Sequence, residues 1–298
     1  MGIHLTLYFY FLHFWIGPAS TQPQGCYVVG KSQERLISAL QQKEVPAYSE
    51  DVPYLISVFS GAVYGGGGKG CRVNETLVNI ETMDCVTFLE NYWALAATRQ
   101  VIKHQSHNLT PDQSFSAFVQ HLQFIRNYQT TEKQNQGRII YLSSAFLQLI
   151  KAGLLQDVGE QNGIPLQKTI NYVSQHPTKF AGIQDWGFVR SIEKELSQGF
   201  LFYYPLDSIP KYKTIAQSGD LVGLVTKVPG LDVSHCGVIS VKSGSLKLTH
   251  SSSVQNHLVI EQDLNTYLSG RTTISGLIVC RPIFPKHKNE FPLLSDKK

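Results

Sequence analysis

The chain has 298 residues, 42% of them hydrophobic and 16% charged. That is the balance of a folded chain with a sizeable core, not of a disordered or fibrous one. The formal net charge of +4 is spread without a basic run, which excludes the electrostatic footprint of a nucleic-acid binder.

In chain order, the first feature is the apolar stretch Leu5 to Gly17, followed by Pro18, Ala19 and Ser20. It is shorter than the roughly 20 apolar residues of a membrane span and reads as a signal peptide over residues 1–20. The remainder is then expected to be exported, to the periplasm or beyond, and to keep no stable membrane anchor. Apolar residues at helical spacing predict helices over Ser32 to Lys43 and Ser49 to Tyr64. The glycine-rich run from Gly65 to Gly70 lacks a Ser or Thr after Lys69, so it reads as a loop and not as a phosphate cradle. Thr110-Pro111-Asp112-Gln113 has the form of a capping box with Pro at the first helical position.

From Asp220 onward the pattern changes to short runs rich in β-branched residues: Leu221 to Val225, Gly237 to Val241, Leu246 to His250, Leu258 to Ile260 and Ile274 to Cys280. Gly and Ser turns separate them, with Lys242 to Ser245 as a hairpin turn, which predicts an antiparallel meander. Helices first and sheet last make the expected fold class α+β. No repeat or low-complexity linker divides residues 21–298, so they are expected to form a single catalytic domain with helical additions.

Five cysteines in an exported chain leave one over, and an odd thiol there invites a chemical role. Cys236 and Cys280 lie in apolar runs and read as core residues. Cys26 and Cys71 lie in loop-like segments, where a disulfide between them is open. Cys85 follows Asp84 at the start of an apolar helical run. With Asp84 as N-cap, Cys85 sits in the first turn, where unpaired N–H groups and the helix dipole favour the thiolate. A thiolate nucleophile needs a base. The candidate is His235 in Gly230-Leu-Asp-Val-Ser-His-Cys-Gly-Val-Ile239, at the head of a strand. His250 in Leu248-Thr-His-Ser-Ser-Ser253 lies on the next strand, where it would orient His235. Zinc is the alternative for two His and a Cys, but no CxxC or HExxH is present. His104, His107, His121, His176, His257 and His287 stand in polar contexts and read as surface residues.

MDCVTFLEN, GLDVSHCGVI and LTHSSS, in this order and at these distances, resemble the N-acetylmuramoyl-L-alanine amidase-like family within the NlpC superfamily of papain-like cell-wall cysteine hydrolases. Weaker likenesses extend the match from about Val52 to Pro282. The resemblance implies a papain-like fold in which Cys85 is nucleophile, His235 base and His250 the third catalytic residue. Tyr64 matches a Tyr beside the nucleophile, suited to help the Cys85 backbone N–H hold an oxyanion. The reaction so implied is cleavage of peptidoglycan between N-acetylmuramic acid and the L-Ala of the stem peptide, with no metal or organic cofactor. Cleavage between D-Glu and the diamino acid, or a catalytically inactive wall-binding module, are the other readings. One departure stands out: Arg138-Ile-Ile-Tyr-Leu142 replaces a family Arg-Leu-His-Tyr-Phe. Arg138 remains suited to meet a stem-peptide carboxylate.

Overall fold

The computed structural model describes residues 26–42, 44–65, 76–103, 109–127, 141–181, 183, 185–254 and 259–284. The apolar stretch at the start, Cys71, most of the glycine-rich run, Arg138 and His104, His107, His257 and His287 lie outside these residues.

In the first half, strand β1 (Cys26–Val28) precedes helices α1 (Ser32–Leu40) and α2 (Tyr48–Val58). Short strands β2 (Val63–Tyr64), β3 (Thr76–Val78) and β4 (Thr82–Met83) lead into α3 (Cys85–Lys103), followed by α4 (Pro111–Asn127) and α5 (Leu142–Lys151). Two expectations are corrected here. Helix α2 stops at Val58 because the chain turns through Gly61, whose φ of +82° suits glycine. Tyr64 is therefore a strand residue, paired in parallel with Met83. Cys26 is not in a loop: β1 pairs in parallel with β3.

The capping box at Thr110 forms as expected. Its amide donates to Gln113 Oε1 at 2.9 Å, and the Gln113 amide returns a bond to Thr110 Oγ1 at 3.3 Å. Helices α1, α2 and α3 are locked by Arg99, which is 1% exposed. Its guanidinium donates to both Asp51 oxygens at 2.7 and 3.0 Å and also to the Ala39 carbonyl.

After α5 come β5 (Leu155–Asp157), α6 (Gly159–Asn162), β6 (Ile164–Pro165), α7 (Tyr172–Gln175), α8 (Trp186–Leu196), β7 (Phe202–Pro205) and α9 (Ile209–Lys213). Then follow β8 (Leu221–Thr226), β9 (Val233–Lys242), β10 (Ser245–Ser251), β11 (Val259–Asp263), α10 (Leu264–Ser269) and β12 (Ile274–Pro282). The fold is α+β, as read from the sequence.

Strands β8 to β11 form the expected antiparallel meander, but β12 departs from it. It returns to the far side of β8, giving the order β11-β10-β9-β8-β12-β7-β6, with β5 also pairing with β12. The short strands β5, β6 and β7 were hidden in a region that reads as helical. Between β9 and β10, Ser243 and Gly244 have φ of +47° and +71°, the positive pair of a type I′ hairpin turn, whose twist matches that of the strands it joins.

The sheet is apolar on both faces. Leu221, Val225, Cys236, Val238, Ile278 and Cys280 face one core, shared with α3 and α5, while Val222, Leu224, Ile239, Leu277 and Val279 face a second, closed by α9 and α10. Burial on both sides explains why β8 has no polar alternation. Two buried acids work inside this frame. Asp220 pairs with Arg281 at 2.7 and 2.9 Å and accepts from the Tyr212 hydroxyl. Asp232 accepts from the Ser143 amide and hydroxyl at 3.0 and 2.6 Å, tying the approach to β9 to the start of α5.

Candidate active site

Asp84 begins the site. Its Oδ1 accepts from the Thr87 amide at 2.8 Å, and the Asp84 amide donates to Thr87 Oγ1 at 2.8 Å. This reciprocal cap fixes where α3 starts and so places Cys85 in its first turn, where the helix N–H groups have no intrahelical acceptor. The Ser251 hydroxyl, at the end of β10, donates to the Met83 carbonyl at 2.7 Å. The tip of the sheet is thereby pinned to the residue two before Cys85.

His235 on β9 and His250 on β10 meet as the strand order requires. His235 Nε2 and His250 Nδ1 are 2.8 Å apart, with the rings nearly perpendicular at 86°. Gly237 permits the close strand approach, since a Cβ there would stand 2.4 Å from the Thr249 carbonyl oxygen. With Nε2 engaged, the other nitrogen of His235 is left for Cys85, and this imidazole is among the groups that act on the thiol.

The Cys85 thiol is brought down to about 5. The largest cause is the neighbouring Cys236 thiol, which donates toward it, with a hydrogen bond and positive charge from His235 adding to the effect. Together they outweigh burial and the negative charge of Asp84. The Cys236 thiol is pushed up by burial and by Cys85, and its sulfur lies 3.1 Å from the Cys85 carbonyl oxygen. Cys85 is thus poised as a thiolate and Cys236 as a thiol. Burial, with the charge of His235 second, depresses His250 to about 3, so it stays neutral. Tyr64 lies close enough for the Cys85 charge to raise its hydroxyl, after burial, while Ser253 hydrogen-bonds it.

Cys85, His235, His250 and Tyr64 therefore come together, and Arg138 falls outside the described residues. The reading of Cys236 as core is half of the picture: it is 1% exposed, yet its sulfur touches the Cys85 backbone. Its place directly after His235 was the available signal. His121 is corrected from surface to core, being 3% exposed with Nδ1 2.8 Å from Thr98 Oγ1. Burial lowers it to about 4. Among the described residues no helix is long and apolar enough to cross a membrane.

A low-pKa thiol at a helix start, beside an imidazole that a second imidazole holds, is chemically equipped for acyl transfer through a thioester. The chain belongs to the N-acetylmuramoyl-L-alanine amidase-like family, whose model matches residues 56–274, well over half of its length. Its fold is similar to that of an N-acetylmuramoyl-L-alanine amidase from Bacteroides uniformis, with TM-score 0.66 and 25% identity, covering 80% of this chain and 99% of that one. It is also similar to a structure described as a putative xylanase from Bacteroides fragilis, with TM-score 0.62 and 26% identity over 76% of this chain and 99% of that one. A Legionella pneumophila protein, 17% identical, shares the fold with TM-score 0.59 over 85% of this chain and 95% of that one. No curated protein matches the chain.

Proposed function

We propose that this protein is an exported peptidoglycan amidase that cleaves the bond between N-acetylmuramic acid and the L-Ala of the stem peptide, with Cys85 as nucleophile, His235 as base and His250 as orienter. The observation that carries the reading is the 2.8 Å contact between His235 Nε2 and His250 Nδ1, which holds an imidazole beside a thiol lowered to about 5. The Cys85 sulfur attacks the lactyl carbonyl of the muramic acid. The Cys85 N–H and the Tyr64 hydroxyl face the oxyanion, and His235 protonates the departing L-Ala nitrogen. Water, deprotonated by the same imidazole, then opens the thioester, returning Cys85 and releasing the sugar acid.

Family membership and the Bacteroides uniformis neighbour support the amide as the target. The helix-borne thiol packed on an antiparallel sheet supports a papain-like fold within the NlpC superfamily and a single catalytic domain over residues 21–298. Leu5 to Gly17 supports export with cleavage near Ser20, which intact mass of the periplasmic protein would show; the full-length chain in the cytoplasm would refute it.

The bond cleaved is tested by mass spectrometry of digested muropeptides, with Cys85→Ser as the inactive control. The expected products are an intact sugar acid and a peptide beginning with L-Ala. A sugar still carrying L-Ala-D-Glu would replace this reading with stem-peptide endopeptidase, and binding without any cleavage would replace it with a wall-binding module.

A further inference from the structure

Tyr267, on α10, stands against both imidazoles. The helix is set by Asp263, whose Oδ1 accepts from the Thr266 amide at 3.1 Å. The Tyr267 ring lies nearly parallel to His235, 18° apart at 6.0 Å between centroids, and edge-to-face with His250, 70° at 4.9 Å. The Arg271 guanidinium lies over the same ring at 3.9 Å and hydrogen-bonds the Tyr267 hydroxyl.

The protons of the pair can be counted. Nε2 of His235 and Nδ1 of His250, 2.8 Å apart, share one hydrogen bond, so one donates and the other accepts. In the thiolate–imidazolium pair of the proposed mechanism, His235 carries a proton on each nitrogen. His250 Nδ1 must then accept, and a neutral His250 must carry its own proton on Nε2. That atom is buried. The Ser251 main chain hydrogen-bonds the ring and favours its protonated form, yet Nε2 itself has no hydrogen-bond partner among the described residues. Leaving a buried N–H unmet is costly, whereas an aromatic face placed before it is a weak acceptor.

We infer that Tyr267 is a positioning residue: its ring receives the Nε2–H edge of His250 and so holds the tautomer in which Nδ1 accepts from His235. Arg271 serves the same end. It fixes the ring, and its charge, with that of His235, disfavours a second proton on His250. The groups facing His250 are then His235 from β9, Tyr267 from α10 and Arg271 just beyond it. The inference rests on Cys85 and His235 acting as an ion pair, and it adds to that pair a residue that touches neither substrate nor thiol.

The test uses the full chain with ¹⁵N-labelled histidine, comparing wild type, Tyr267→Phe and Tyr267→Leu. Ring-nitrogen chemical shifts report the tautomer without any substrate, so failure of the proposed amide chemistry would leave this result standing. Wild type and Tyr267→Phe should show His250 protonated at Nε2 alone from pH 5 to 8. Tyr267→Leu should show mixed tautomers, a His250 titration moved up toward the ordinary range, and kcat on muropeptide at least about tenfold lower with KM little changed. That is a fraction of the roughly 10⁴ that a wrong tautomer costs a Ser-His-Asp triad. A wild-type His250 protonated at Nδ1 would overturn the inference even if the Leu variant failed to fold. So would a Leu variant that kept tautomer and kcat, or a Phe variant as impaired as Leu, which would assign the effect to the hydroxyl.

Discussion

The reactivity of Cys85 toward a disulfide reagent depends on pH in a way that can be worked out in advance. With the thiol at about 5, about 90% is thiolate at pH 6, against about 0.3% for a free cysteine at about 8.5, a ratio of about 300. A thiolate of lower pKa is also intrinsically less nucleophilic. With a Brønsted coefficient of about 0.45, a difference of about 3.5 units costs about 40-fold. Cys85 should therefore react about 8-fold faster than a free cysteine at pH 6. At pH 8, where the free thiol is about one quarter ionised, Cys85 should be about 10-fold slower. The assay follows an aromatic disulfide against wild type and Cys85→Ser, with the labelled peptide identified by mass. A rate that is flat from pH 6 to 8 and falls with a midpoint near 5 supports the thiolate. A rate climbing tenfold per unit up to pH 8 would refute the reasoning, because Cys85 would then be an ordinary thiol.

Three further outcomes follow from the geometry. His250→Ala should retain more kcat/KM than His235→Ala, and adding it to a His235→Ala background should change the residual rate little, since residues acting as one unit are not additive; penalties that simply multiplied would remove His250 from the unit. Asp51→Asn leaves the Arg99 charge buried and unbalanced and should lower unfolding free energy by about 3–5 kcal/mol in urea melts, while a loss under about 1 kcal/mol would show that the pair is solvated. His121 and His250, held near 4 and 3, are neutral in the fold but free to take protons when unfolded, so their contribution is intact above about pH 6.5 and erodes as pH falls. The loss should reach about 2 kcal/mol for each by pH 5, and stability that was level between pH 7 and 5 would contradict it.

The site was more legible than the topology. Cys85 and His235 could be placed because capping and strand patterns are local, and a one-strand offset suffices to bring His250 to His235. What stayed hidden depends on contacts distant in sequence. The strand at Val63–Tyr64 exists only because β4 lies beside it, and β5 to β7 are too short to show an alternating pattern. The return of β12 to β8 depends on which sheet edge remained open, and its apolar run fits either edge. Cys236 read correctly as core, but its reach to Cys85 depends on how α3 crosses the sheet. Tyr267 carried no signal beyond an aromatic on a short helix.

The groups that ionise Cys85 lie about 150 residues downstream, since the Cys236 sulfur and the Cys85 carbonyl it touches are separated by 151 positions. A chain that emerges N-terminus first exposes Cys85 long before His235 and Cys236 exist beside it. Until β9 and β10 pair and Ser251 is pinned to Met83, the sulfur is an ordinary thiol, about 8.5 and mostly protonated at neutral pH. Cys85 is thus unreactive throughout synthesis. It becomes reactive only when the last quarter of the chain has folded, so the order of assembly itself delays the chemistry.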